Sequence, residues 1–292
     1  MNGVVIIDKP PGLTSHDVVN RVRRILGQRS VGHLGTLDPL ATGVLPVVLG
    51  NLTRLAQFYA HSEKTYEGVI RFGFATDTYD ADGEPTTPPQ SVQLDADEIR
   101  QLAAQFQGVI EQMPPPFSAK KIAGVPAYKL ARKKQQVELK PVQVEIKEFE
   151  ILDTAADQAT FRARVASGTY IRSVAHEMGQ RLGCGAHLAS LRRIAVAEFA
   201  IEEAHSLPAL EAAMQQGTVE SLLVHPRKLV PRLPSVTANE ESAAFIRNGR
   251  AVNLPEMSRA PQVKVFYGQR DLIAIATRIA GTLFRPAIVF TG

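Results

Sequence analysis

One cysteine in 292 residues, Cys184, excludes an internal disulfide and any cysteine-built zinc cage, and it suits a reducing compartment. No apolar run approaches the length of a membrane span. The chain opens on the strand-like Gly3-Val4-Val5-Ile6-Ile7, without a basic region, apolar stretch and cleavage site in series. No signal peptide is therefore expected, and the expected location is the cytoplasm. Cofactor motifs are missing too. Gly27 to Gly32 has the glycine spacing of a phosphate loop, but His33 and Leu34 stand where lysine and serine or threonine are needed. His176-Glu177 has no second histidine at zinc spacing, and there is no Gly-x-Ser-x-Gly elbow. The acidic loop Asp77 to Glu84, aligned on Gly83 as a calcium loop, has Thr78 at the first ligand position and Pro89 at the closing glutamate. Neither a metal nor a nucleotide cofactor is expected.

What is present is an ordinary globular composition, 45% hydrophobic and 21% charged, long enough for one large domain and a small one. The net charge of +4 permits a polyanionic partner without requiring one. One stretch stands out: Gly32-His33-Leu34-Gly35-Thr36-Leu37-Asp38-Pro39-Leu40-Ala41-Thr42-Gly43-Val44-Leu45. Pro39 biases Asp38 towards an extended backbone, so the segment is not the middle of a helix. Gly35 and Gly43 permit dihedrals or close approaches that other residues resist. An isolated Asp-Pro is most simply a solvated turn. Here Leu34, Leu37, Leu40 and Leu45 press from both sides, which predicts a rigid loop presenting a partly buried carboxylate that needs a partner or a task.

Around that loop the elements read as follows. Val4 to Ile7 is a buried strand stopped by Lys9-Pro10-Pro11-Gly12, and Thr14 or Ser15 caps a helix with Val18, Val22, Ile25 and Leu26 inward. Asn51 is expected to cap a short helix carrying Leu52, Leu55, Phe58 and Tyr59. Tyr66, Ile70, Phe72 and Phe74 alternate as a half-buried strand, and Asp95 with Glu98 predicts a capping box ahead of Ile99, Leu102 and Phe106. After Pro114-Pro115-Pro116, residues 118 to 140 carry Lys120, Lys121, Lys129, Arg132, Lys133, Lys134 and Lys140 against the single acid Glu138. A charge run is often only a solvated face, but Phe117 and Tyr128 beside these cations suit a nucleic acid, whose phosphates and bases they could hold. Pro141 to Ile151 alternates and then shifts phase, a strand with a bulge, and Phe161 to Ala166 alternates again. Tyr170 and Arg172 open a helix with Ile171, Val174, Ala175, Met178 and Leu182 inward, ending near Gly183. A cation at a helix start opposes the dipole, so Arg172 is better explained by a nearby anion. Lys228 to Pro234 reads as a linker, and the short strands beyond it suggest a small β barrel.

The pattern Gly-His-x-Gly-Thr-Leu-Asp-Pro-x-Ala-Thr-Gly-x-Leu from Gly32 to Leu45 resembles, nearly without gaps, the signature of the tRNA pseudouridine synthase B family, whose members isomerise uridine 55 in the T loop. The resemblance implies that Asp38 is the catalytic carboxylate and that His33 helps extract the target base. Lys9-Pro-x-Gly-x-Thr-Ser15 is similar to the family's first motif, and Lys64-x-Tyr66 to the pattern whose tyrosine lies against the base. The segment from Ser167 to Gly179 resembles a third motif, with Arg172 paired to the catalytic aspartate and Tyr170 beside it. Asp80 would belong to the same charge network, and Leu191 would line the uracil pocket. Lys9, Lys64, Lys120, Lys121, Lys133 and Lys134 join the residues expected to bind substrate.

The implied fold is α+β, a mixed, largely antiparallel sheet flanked by helices, followed by a small PUA-like β-barrel domain. The expected division is a catalytic domain over residues 1–230, with a basic RNA-gripping insertion at about 114–141, and a PUA-like RNA-binding domain over 235–292. The implied partner is the T arm of tRNA, bound by a monomer that uses no cofactor and no membrane. Breaking an N-glycosidic bond and making a C-glycosidic one needs a carboxylate at the sugar–base junction. Asp38 would attack the anomeric carbon or assist proton loss from the sugar, and both routes stay open at this level. The rivals are an RNA chaperone with a silent site, a guide-RNA-dependent relative, which would lack the basic insertion, and a nucleoside hydrolase, which would want a second carboxylate such as Asp80.

Overall fold

The computed structural model describes residues 1–117, 121–122, 125–126 and 140–290, with residues 121, 122, 125 and 126 described by their backbone alone. In chain order the elements are β1 (Gly3–Lys9), α1 (Ser15–Ile25), β2 (Val31–His33), β3 (Thr42–Leu49), α2 (Ala56–Tyr59), β4 (Lys64–Phe72), α3 (Ala96–Ala104) and β5 (Gly108–Gln112). A two-stranded ribbon, β6 (Lys121–Ile122) and β7 (Val125–Pro126), precedes β8 (Val142–Ala155), β9 (Gln158–Val165), α4 (Ile171–Arg181), β10 (Ala186–Val196), β11 (Phe199–Ala200) and α5 (Leu207–Gln215). The chain ends with β12 (Ser235–Ala238), α6 (Glu240–Arg247), β13 (Val252–Asn253), β14 (Gln262–Tyr267), β15 (Asp271–Ala280) and β16 (Leu283–Val289).

The main sheet runs β1-β3-β10-β4-β9-β8-β5, with β2 added to β3 and β11 to β10. Every pair is antiparallel except β3 with β10, where Arg192 faces Thr42 and Arg193 faces Gly43. That parallel pair joins the start of β3, where the loop after β2 ends, to a strand about 150 residues later in sequence, and the site is built around it. The second sheet runs β12-β14-β15-β16-β13 and is antiparallel except for β12 with β14.

The apolar patterns explain the layers. Along β1, Val5 and Ile7 face a core shared with Val18 and Val22 of α1, Ile99 and Leu102 of α3, Val174 and Met178 of α4, and Leu210 of α5. Val4 and Ile6 face the opposite way, into a second core with Val44 and Val48 of β3, Leu52, Leu55, Tyr59, Phe266, Ile275 and Ile288. A strand buried on both faces needs an unbroken apolar run, which is what Val4 to Ile7 supplies. Each such residue contributes about 1.5–3 kcal/mol by leaving water. Over β4, β9 and β8 one face stays wet, and Arg162–Glu67, Arg164–Glu148, Arg71–Asp157 and Lys147–Glu63 pair across the strands.

Helix α1 begins as the sequence requires: Thr14 accepts from the Asp17 amide while Asp17 reaches back, a complete capping box. Other expectations change. Asp95 caps α3 by accepting from the amides of Asp97 and Glu98, a one-sided cap instead of a box. Asn51 caps nothing: its segment starts as a 3₁₀ turn at Gly50, with no side-chain cap, and its Nδ2 donates to Phe290 O. Its role is tertiary, tying the first sheet to the second. The segment expected to be a linker is packed, with Leu229 and Val230 buried in the second core and the Val230 amide donating to Tyr59 Oη and Glu198 Oε1. β8 carries the expected bulge, as register shifts at Ile146/Glu148 and Ile151/Asp153. Lys120, Lys133 and Lys134 lie outside the described residues, as does the side chain of Lys121. Among the described residues no helix is long and apolar enough to cross a membrane.

Candidate active site

Hydrogen bonds to its backbone hold the loop between β2 and β3. Ser15 Oγ, buried at the start of α1, accepts from the Leu37 amide at 2.8 Å and donates to Leu37 O at 3.1 Å. Lys9 Nζ and the Gly12 amide both donate to Pro39 O, at 3.1 and 2.9 Å. Arg193 donates to Gly35 O at 3.0 Å and to Thr36 O at 3.4 Å, and its Nε to Val44 O at 2.8 Å. Gly43 lies at φ +96, and a Cβ there would come 2.2 Å from Arg193 O, so the close parallel approach of β3 to β10 requires glycine. Gly35 sits at φ +104 with only ordinary contacts around it, so it serves the turn itself.

The loop so fixed presents Asp38 at the edge of a cavity of about 290 Å³, lined by His33, Asp38, Lys64, Tyr66, Tyr170, Arg172 and Leu191 among others. Seven residues singled out from sequence thus meet in one place. Arg172 Nε lies 3.0 Å from Asp38 Oδ2, in an ion pair whose angle falls short of a straight hydrogen bond. The two partners differ in exposure: the Arg172 side chain is 5% exposed and that of Asp38 40%. The cation is built into the protein, and the carboxylate looks into the cavity.

Arg172 is fixed from behind. Its Nη1 donates to Thr78 O at 3.0 Å and stands 3.4 Å from Asp80 Oδ2, and its Nη2 donates to Phe117 O at 3.0 Å. Asp80 is buried in the turn after β4, where its Oδ1 accepts from Thr78 Oγ1 and from the Asp82 amide. The anion that a cation at the start of α4 calls for is therefore supplied twice. Gln112, at the end of β5, locks that helix start by accepting from the Tyr170 amide at 2.8 Å and donating to Tyr170 O at 3.1 Å. Tyr79, beside Asp80, holds φ +66, and its ring stacks on His176 of α4 with centroids 3.7 Å apart.

The electrostatics are lopsided. Burial, then the nearby Arg193, lowers both Lys64 (to about 8) and His33. Lys9 also falls to about 8, chiefly through burial, with Asp38 acting against the shift. The Tyr66 phenol is raised by burial, and Arg193 opposes that rise. Lys9 has no exposed surface, and its ammonium is spent on Pro10 O and Pro39 O, so it supports the Asp38 loop from within. Asp80 likewise stands behind Arg172, away from the cavity lining.

Sequence reasoning missed three supports: Ser15 as anchor of Leu37, Gln112 as anchor of Tyr170, and Arg193. A serine next to a capping threonine and a glutamine ending a strand carry no signal. Arg193 carries one, a cation facing the glycine of a motif, but only strand pairing reveals it.

The chain matches the model of the TruB family of pseudouridylate synthases (N-terminal domain) over residues 23–171 and that of the tRNA pseudouridylate synthase B C-terminal domain over 172–230. It is 48% identical to the tRNA pseudouridine synthase B of Solibacter usitatus, over 99% of this chain and all of that one. It is 39% identical to the protein of the same name from Aquifex aeolicus, over 97% and 98% of the two chains. Among solved structures, a chain from an H/ACA RNP bound to a substrate RNA containing 2′-deoxyuridine superposes with a TM-score of 0.72, at 25% identity, over 99% of this chain and 85% of that one. The archaeal box H/ACA Nop10–Cbf5 complex gives 0.70 at 26% identity, over 99% and 86%. A half-exposed carboxylate clamped to a buried guanidinium beside a phenol, in a chain matched end to end by these relatives, places this protein in the TruB family of pseudouridylate synthases.

Proposed function

We propose that the protein isomerises uridine 55 in the T loop of tRNA, with Asp38 acting at the sugar–base junction. The observation that supports this most directly is the Arg172–Asp38 ion pair at the mouth of a cavity closed by Tyr66 and Leu191. The cavity is near the lower end of the roughly 300–1,000 Å³ range of ligand pockets, a size that suits one base extracted from its stack. His33 fills the place the base leaves. Arg172 fixes the orientation of Asp38, so that the carboxylate meets C1′ or the C2′ hydrogen of the ribose at once when the nucleotide enters. The N1–C1′ bond breaks, the uracil turns against the apolar wall of Leu191, and the C5–C1′ bond forms. Tyr66 takes the proton from C5. Enclosure of the detached base keeps water from capturing the sugar.

Residues 1–230 form the catalytic unit in this reading, and the second sheet, within 235–292, is a PUA-like RNA-binding unit. The stand-alone reading is favoured over a guide-dependent one because relatives named tRNA pseudouridine synthase B reach 39–48% identity over nearly the whole chain, against 25–26% for the H/ACA structures. The test is Asp38→Asn with T-arm RNA: turnover is lost while RNA affinity stays within severalfold, and digestion with mass analysis finds pseudouridine only with the unsubstituted enzyme. Near-normal turnover in Asp38→Asn ends this reading. Free uracil in place of pseudouridine would make the protein a nucleoside hydrolase.

A further inference from the structure

Arg193 heads the fully buried side chains by volume, with no exposed surface. A guanidinium is a permanent cation with five N–H donors. Three backbone carbonyls, of Val44, Gly35 and Thr36, take donors from it, and none of the ion pairs among the described residues includes it. A buried cation without an anion is costly, and structural fixation of a loop does not by itself require a charge. Arg193 pairs with Tyr66 across the β4–β10 ladder, which puts both side chains on one face of the sheet.

We propose that Arg193 is a positioning residue for the isomerisation: its charge, unmatched by any carboxylate among the described residues and set across the ladder from Tyr66, favours the ionised phenol that accepts the C5 proton. The inference rests on Tyr66 being the proton acceptor. The phenol first gives its proton to water. The C5–H bond of the re-attached base then breaks, its electron pair restores the C5=C6 double bond while N1 takes a proton back from water, and the C5 proton joins the phenolate oxygen.

The other charged or titratable groups around Tyr66 are Lys64 on its own strand, His33 at the end of β2, Asp38 on the loop, Tyr59 on α2, and Tyr170 and Arg172 at the start of α4, all lining the same cavity. Asp38 opposes ionisation of the phenol, and Arg193 favours it. Tyr66 is buried, which disfavours a charged phenol, so a cation beside it is what the chemistry requires. Lys64 donates instead to Ser62 O.

The experiment uses the full chain carrying 3-fluorotyrosine, with the Tyr66 line in the ¹⁹F spectrum assigned by its loss in Tyr66→Phe. In Arg193→Gln the midpoint of that line moves up by about one pH unit. Tritium release from 5-tritiated uridine in T-arm RNA at neutral pH then falls about tenfold, since one unit is a factor of ten. KM stays within about twofold. Arg193→Lys, which keeps the charge, restores most of both. Should Arg193→Gln fail to fold, citrulline at position 193, neutral and of the same shape, carries the same expectation. A Tyr66 line that stays in place without the charge overturns the inference, whatever Tyr66 does in catalysis. Normal tritium release in Tyr66→Phe instead overturns the proton-acceptor reading, and the catalytic half of this inference with it.

Discussion

Asp80→Asn keeps the shape of a side chain that is 6% exposed and removes its charge from beside Arg172. The nitrogen and oxygen concerned are 3.4 Å apart. At that separation, with an effective dielectric constant near 20, the gross attraction is about 5 kcal/mol. Relief of the desolvation of Asp80 offsets roughly half, leaving about 2–3 kcal/mol, a little below the ~3–5 kcal/mol typical of breaking a buried pair. The lower figure is expected because Arg172 keeps Asp38, Thr78 O and Phe117 O. Asparagine retains an Oδ1 for Thr78 and the Asp82 amide, but its other atom is a donor facing a donor. Urea unfolding should therefore show the loss as a lower midpoint at constant slope. Arg172 loosened by about 1 Å no longer orients Asp38, and single-turnover isomerisation of T-arm RNA should fall roughly 10²-fold. A stability change under about 0.5 kcal/mol, the ordinary range of a surface substitution, together with normal turnover would refute the claim that Asp80 holds Arg172.

Lys9 and Lys64 are lowered to about 8 from an ordinary 10.5, so between those values the folded chain binds fewer protons than the unfolded one. Their contribution to stability rises with pH across that window, and urea midpoints of Lys64→Met should rise less steeply there than those of the unsubstituted chain. Gly43→Ala should cost about 3 kcal/mol or more, because positive φ is joined by a clash with Arg193 O, whereas Gly35→Ala should cost only about 1 kcal/mol. Equal losses in thermal unfolding of the two variants would contradict the close approach of β3 to β10. Alanine at Lys120, Lys121, Lys133 and Lys134 should flatten the dependence of log K on log salt for T-arm RNA by about 0.7–0.9 for each phosphate that is no longer neutralised. An unchanged slope would assign those cations to a solvated face.

The local physics of this chain is written in its sequence. Thr14 with Asp17, the alternation through Tyr66, Ile70 and Phe72, and the phase change in β8 each depend on residues within a turn or two of one another. Asp38, Tyr66 and Arg172 could be named because each sits in a short stretch whose residue types make little sense without a site. Asn51 shows the limit: its local pattern is that of a cap, but a carbonyl about 240 residues away binds it instead. The linker reading of Lys228 to Pro234 fails for the same reason, since the partners that bury Leu229 and Val230 lie on distant strands. Only the tertiary structure decided that Lys9 is sealed beneath the loop, that Asp80 holds Arg172 from behind, and that Arg193 pairs across the ladder with Tyr66 with no carboxylate partner among the described residues. Those facts follow from β10 lying between β3 and β4. Strand order depends on non-local pairing, which no window of sequence contains, and burial and charge environment depend on strand order.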